Sequence, residues 1–166
     1  IDKDKEQQTN NVELLIKHDV FPASEKGNLS YLIYNYAKQA AMTMLNNRLK
    51  EKALDPECPY VAAGANDGTF IFAKTKDAFN LSAFPKDLSK TAAALKAAYT
   101  EALRAARFGF TATEYARFQE DYKSSLDKMY SNKDKRPNSQ LYRDLVDNFL
   151  EGDPMPSIDF EYQAMS

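Results

Sequence analysis

The sequence has one histidine, one cysteine, five glycines and no tryptophan. The lone Cys58 excludes an internal disulfide and any zinc cluster built on cysteines. It stands between Glu57 and Pro59, with no basic neighbour to activate it as a nucleophile. A histidine metal site usually needs two or more nitrogen ligands, or acidic partners at helical spacing, and the sequence around His18 supplies neither. A Ser-His-Asp or Cys-His arrangement would have to use this one imidazole, and no serine lies in a nucleophile-elbow pattern. His18 therefore reads as a partly exposed residue at a strand end. No apolar run is long enough to cross a bilayer, and the mean hydropathy is −0.60. With 22 basic and 24 acidic residues the net charge is −2, which gives no reason to expect nucleic acid or an anionic membrane as partner. The start, Ile1-Asp2-Lys3-Asp4-Lys5-Glu6, is too polar for a signal-peptide core and lacks an initiator Met. The expectation is a processed product or an excised piece of a longer multi-domain chain.

What is present suits one α+β domain over residues 1–166, with its core at about 9–162. Residues 1–10 are polar and read as frayed. Val12 to His18 is short and aliphatic, as a strand is, and Phe21-Pro22 ends it. After a loop over 23–28, Leu29, Ile33, Tyr36, Ala40, Met44 and Leu45 recur at helical steps. Asp55-Pro56 and Pro59 forbid continuation past about Ala53. Residues 60–84 read as β structure in one of two registers. Asp67-Gly68 can form a tight hairpin turn between short strands. Alternatively one strand runs through 60–74 with a glycine bulge and pairs with 78–84 around Lys76-Asp77, the preferred reading. Either way 69–74 pairs with 78–84. Three helices follow. The first opens at Pro85-Lys86-Asp87 and presents Leu88, Ala92, Leu95, Tyr99, Ala102 and Ala106 on one face. Its alanines suggest close approach to a sheet. The second carries Tyr115, Phe118, Tyr122, Leu126 and Met129; the third carries Leu141, Leu145, Val146, Phe149 and Leu150 and closes at Gly152. The last ten residues read as extended. Paired strands followed by a run of helices argue for a mostly antiparallel sheet with helices on one face.

The junction Arg107-Phe108-Gly109-Phe110-Thr111-Ala112-Thr113-Glu114 has the most legible local chemistry. Gly109 suits the left-handed end of a helix. Thr111 and Glu114 have capping-box spacing, and Phe110 is placed for a staple onto Tyr115. The junction should set how the 88–107 and 112–131 helices lie over the sheet. Thr111→Ala is expected to cost about 1 kcal/mol; an unchanged melting curve would remove the cap from this account.

The remaining motifs read as structural. Gly64-Ala65-Asn66-Asp67-Gly68 has no following Lys-Ser/Thr and precedes a strand, so it reads as a bulge or turn, not a phosphate cradle. The aromatic residues fall on the helical stripes, where core packing outweighs base stacking. Lys133-Asp134-Lys135-Arg136 reads as a solvated loop. Asn28-Leu29-Ser30 and Asn80-Leu81-Ser82 match the glycosylation triplet, a frequent chance match.

Several landmarks occur in order: Met44-Leu45-Asn46-Asn47-Arg48-Leu49, Pro59-Tyr60 with Ala63-Gly64-Ala65, Lys76 through Ala83, Arg107 through Glu114, and Phe149-Leu150-Glu151-Gly152-Asp153-Pro154-Met155-Pro156. The succession resembles the non-catalytic second domain of bacterial pitrilysin/insulinase-family zinc metallopeptidases. The resemblance implies the family's shared α+β domain, paired into halves that enclose a peptide chamber. It also implies zinc, but in a preceding catalytic domain that carries His-x-x-Glu-His and a downstream Glu ligand. This sequence has no such motif. No catalytic, cofactor-binding or metal-ligating residue is assigned, and the chain alone should be inactive. Some relatives supply an Arg/Tyr pair to the substrate; Arg136, Tyr142 and Arg143 invite comparison, but they are not matched to the pattern and the role is left unassigned. The expected partners are the catalytic domain of the same polypeptide and, in the intact protein, a peptide substrate; neither nucleic acid nor a membrane span is expected. The resemblance points to the bacterial periplasm or cell envelope. The rival readings are a catalytically inactive scaffold related to these peptidases, and an unrelated α+β module that binds a small ligand. A deep apolar pocket with converging polar groups would favour the latter.

Overall fold

The computed structural model describes residues 10–165 apart from 72, 74 and 136. Residues 1–9 of the segment read as frayed therefore lie outside the described residues. The elements are β1 (Val12–Asp19), α1 (Leu29–Ala53), β2 (Tyr60–Thr69), β3 (Lys76–Pro85), α2 (Thr91–Phe108), α3 (Ala112–Ser131), α4 (Asn138–Glu151) and α5 (Ile158–Met165), with short 3-10 turns between some of them. The fold class is α+β, as expected. The described residues form two compact units. One holds the chain up to Val20 and Lys38–Thr111; the other holds Phe21–Ala37 and the chain from Ala112 onward. The polypeptide passes between them three times, and α1 contributes to both.

In the first unit the sheet is antiparallel, in the order β1-β3-β2. Val12, Leu14 and Ile16 of β1 lie opposite Ala83, Leu81 and Phe79 of β3, which lie opposite Ala63, Ala65 and Asp67 of β2. These residues share one face. Leu45 and Leu49 of α1 and Ala94 and Ala98 of α2 pack there, in one core with Tyr60, Leu81 and Ala83. Ala94, Ala98 and Ala83 are fully buried. Three methyl-sized side chains let the α2 backbone approach the sheet closely, as the alanine content suggests. The buried stripe of α2 is nevertheless Ala94, Ala98 and Glu101. The expected stripe is displaced: Leu88 is 72% exposed, and Ala92 and Ala106 are exposed too. Large residues dominate a periodicity count, but the sheet selects the small ones.

The 60–84 region follows the preferred reading in outline, one long strand with a bulge paired with the next strand, and departs from it in the bounds, the turn and the place of the bulge. Asp67 and Gly68 lie within β2, opposite Phe79 and Ala78, so there is no hairpin turn at that dipeptide. Lys76 and Asp77 belong to β3, and the connection lies between Thr69 and Lys76. Of the stretch 69–74, Thr69 pairs with Asp77 of β3 and the Phe70 N–H donates to the Lys76 carbonyl at 3.0 Å, while positions 72 and 74 lie outside the described residues. Ile71 has φ +54°, a rare conformation for a β-branched residue and one that periodicity does not reveal. The bulge is at Val61, not at a glycine: Tyr60 pairs with Pro85 and Ala62 with Phe84. The extra residue reverses the alternation, which turns Tyr60 onto the helix-facing side while Val61 stays exposed.

The edge of β2 is closed by a side chain. Asn46 Nδ2 donates to the Ala65 carbonyl and the Ala65 N–H donates to Asn46 Oδ1, both at 2.8 Å. The carboxamide thus supplies the donor and acceptor of a neighbouring strand. Arg48 donates to the Gly109 carbonyl at 3.1 Å and lies 4.7 Å from the centre of the Phe110 ring. Gly109 ends α2 with φ +69° and ψ −155°, positive φ as expected but outside the left-handed helical well.

The second unit is held by aromatic rings. Tyr36 packs on Phe118 and Tyr122 at 5.4 and 5.0 Å, and its hydroxyl meets that of Tyr115 at 3.2 Å. Burial, then the bond to Tyr115, pushes the Tyr36 hydroxyl up to about 12. Phe21 packs on Tyr31 and Tyr34. Gly152, in the left-handed conformation, closes α4 as expected. The C-terminal segment corrects the extended reading. Ser157 Oγ accepts from the Phe160 N–H at 3.2 Å and starts α5. Tyr162 of α5 stacks on Tyr130 and donates to Asp127 at 2.8 Å.

Candidate functional site

His18, the last residue but one of β1, lies on the helix-facing side of the sheet, directly opposite Asp77 of β3. Its Nε2 lies 3.0 Å from Asp67 Oδ2 and its Nδ1 lies 2.9 Å from the Asp19 carbonyl. The Asp19 carbonyl first, and then Asp67, raise its pKa above the ordinary 6.5, against partial desolvation. Asp67 Oδ1 is buried without a hydrogen bond among the described residues, and Lys38 Nζ stands 3.6 Å away. Beyond the cluster, Lys76 holds Asp19, whose carboxyl lies below the ordinary range for that reason. His18 is thus the partly exposed strand-end residue expected, but with an acidic partner 49 residues away that no local spacing reveals. The arrangement can hold a proton. It does not assemble a metal site: among the described residues no group of three or more His, Cys, Asp or Glu is placed to hold an ion.

An apolar depression of about 340 Å³ in the first unit lies among Ile16, Met42, Leu45, Phe79, Leu103 and Phe110. Its walls are almost wholly carbon, and no set of polar groups converges on it to orient a small ligand. A smaller groove of about 280 Å³ in the second unit is bordered by Leu29, Leu32, Pro154, Met155 and Phe160. Near it the Asp153 carboxylate takes Lys26 Nζ at 2.6 Å and the Tyr31 hydroxyl at 3.3 Å. Asn148 Nδ2 also donates to the Asp153 carbonyl at 2.6 Å, which ties the segment after Gly152 back onto α4.

The other sequence-marked residues do not converge. Cys58 is buried in the core beside Tyr60. Gly64 to Gly68 is strand, neither bulge nor turn. Lys133 pairs with Asp159 at 2.5 Å, and Arg136 lies outside the described residues. Tyr142 and Arg143 lie on α4, and Tyr142 is largely exposed. Asn80 belongs to the central strand β3 with its carboxamide oxygen buried, a poor glycosylation acceptor.

No protein-family model and no curated protein sequence matches the chain. Solved structures do. The crystal structure of the periplasmic protease PqqL from Escherichia coli superposes with a TM-score of 0.80 over 98% of this chain at 19% identity. A structure of the first half of PqqL gives 0.80 over 98% at 17% identity, and a predicted insulinase family protease from Yersinia pestis gives 0.76 over 96% at 9%. This chain covers only 17% of PqqL, 34% of its first half and 33% of the Yersinia protein. No helix among the described residues is long and apolar enough to cross a membrane. The chain therefore has the α+β fold of a pitrilysin/insulinase-type protease domain.

Proposed function

We propose that the chain is a non-catalytic, chamber-forming domain of a zinc-dependent metallopeptidase that hydrolyses peptides. The observation that carries this reading is the fold match over almost the whole chain to a segment of much longer proteases. Zinc belongs elsewhere in such a protein. One histidine cannot supply the ligands of a His-x-x-Glu-His site, and the described carboxylates form no ligand group around it. The partner is a catalytic domain of the same polypeptide carrying that motif, in the roughly 200 residues preceding this segment. The location is the periplasm, by analogy with PqqL. A related reading, an inactive scaffold, draws on α4, where Leu145 is 57% and Phe149 is 86% exposed on one apolar stripe.

The purified chain is expected to carry no stoichiometric zinc by mass spectrometry and to cleave no peptide. Metal-dependent hydrolysis by the chain alone would overturn the proposal. A preceding segment without His-x-x-Glu-His would transfer it to the scaffold reading.

A further inference from the structure

Residues next to two of the three passages between the compact units reach one carboxylate. His18 lies two residues before the passage at Val20–Phe21, and Lys38 is the first residue after the passage at Ala37–Lys38. Both reach Asp67 in β2: His18 Nε2 at 3.0 Å and Lys38 Nζ at 3.6 Å. β1 and β2 are not neighbours, so the His18–Asp67 bond spans β3. It ties together strands that share no backbone hydrogen bond.

We propose that Asp67 is a proton-gated anchor, which holds the end of β1 tightly while His18 is charged and loosens its hold when His18 loses its proton. The gating follows from the imidazole's two contacts. Both ring nitrogens face acceptors, the Asp67 carboxylate and the Asp19 carbonyl. Only the imidazolium donates at both; a neutral ring keeps Asp67 only as its Nε2–H tautomer, which turns a lone pair toward the Asp19 carbonyl and replaces a charge-assisted bond to Asp67 by a weaker neutral one. The charged groups around the ring agree. Asp67 faces it from β2, Asp77 from the opposing position of β3, and Asp19 from β1, although the Asp19 carboxylate is engaged by Lys76. Lys38 of α1 shares Asp67 with it and is an opposing charge. The group has a raised pKa in the folded chain, so its stabilisation is complete below the ordinary 6.5 and is lost as pH rises through the folded midpoint. Each unit between the two midpoints allows up to about a tenfold change in the opening equilibrium.

The single histidine makes the test direct, because the imidazole region of an NMR spectrum of this chain contains one titrating side chain. In the wild-type chain the His18 midpoint is expected above 6.5. Amide exchange over residues 16–19, corrected for intrinsic rates, should accelerate as pH passes that midpoint. His18→Gln should abolish the step, and Asp67→Asn should bring the midpoint down. Lys38→Met, which leaves β2 untouched, should raise it by removing the competing cation, and serves if Asp67→Asn does not fold. A wild-type midpoint at or below 6.5, a step that survives His18→Gln, or a lowered midpoint in Lys38→Met would each overturn the anchor.

Discussion

Tyr60→Ala should destabilise the first unit by about 4 kcal/mol, enough to lower the melting temperature by roughly 10 °C. Tyr60 is fully buried, as are Leu49 and Leu81. The bulge at Val61 exists, in effect, to place it: without the extra residue Tyr60 would face the opposite side of the sheet. Its ring joins Leu45 and Leu49 of α1 to Ala94 and Ala98 of α2, and its hydroxyl donates to the Leu49 carbonyl at 3.1 Å. Burial, and then Cys58, holds the hydroxyl in its neutral form by pushing its pKa well above the usual phenol range. Tyr60→Phe separates the two contributions. It removes only the hydrogen bond, and the Leu49 carbonyl lies within α1, so that variant should lose only about 1 kcal/mol. Chemical denaturation of both variants measures the ratio. Equal losses would assign the stabilisation to the hydroxyl, not to the ring.

Much of the architecture was written in local signals. Proline and glycine punctuation placed the ends of α1 and α4, and Asp87 starts the turn before α2 by accepting from the Lys90 N–H, where Pro85-Lys86-Asp87 marked an opening. The ordered landmarks also turn out to touch one another. Asn46 bonds Ala65, Tyr60 bonds Leu49, and Arg48 bonds Gly109, so the segments that resemble the peptidase domain are also those that hold the first unit together. The misread features depend on tertiary structure. Asp67-Gly68 has the composition of a turn, yet its carboxylate is needed inside the sheet to meet His18. Ser157 caps α5 directly after two prolines and a methionine that favour extended chain, and the helix is held by Tyr162 and Asp159 bonding to residues of α3 and the turn after it. The His18 cluster was illegible for the same reason: its members come from β1, β2, β3 and α1, and only the folded register makes them neighbours.

Removing both cations beside Glu101 should cost more than removing Glu101 itself. Glu101 is the one charged side chain that is fully buried among the described residues, at 5% exposure. Lys52 Nζ approaches it at 3.3 Å, and Arg104 Nη1 reaches its two oxygens at 3.1 and 3.2 Å. The exposures are asymmetric: the carboxylate side chain is 6% exposed, whereas Lys52 is 37% and Arg104 is 62%. Either cation can turn into water if the carboxylate disappears. The carboxylate, packed between α2 and the core, has no such escape. Glu101→Met should therefore lie within about 1 kcal/mol of wild type, since an apolar side chain of similar volume restores the packing without desolvating a charge. Lys52→Met and Arg104→Met should each cost under about 1 kcal/mol, because the remaining cation still pairs and solvent screens the exchange. The double variant leaves the buried charge uncompensated and should lose about 3 kcal/mol, well beyond the sum of the single losses. Denaturant melts of the four variants test this. Additive single and double losses would show that water reaches Glu101 and that its burial imposes no electrostatic demand on α1 and α2.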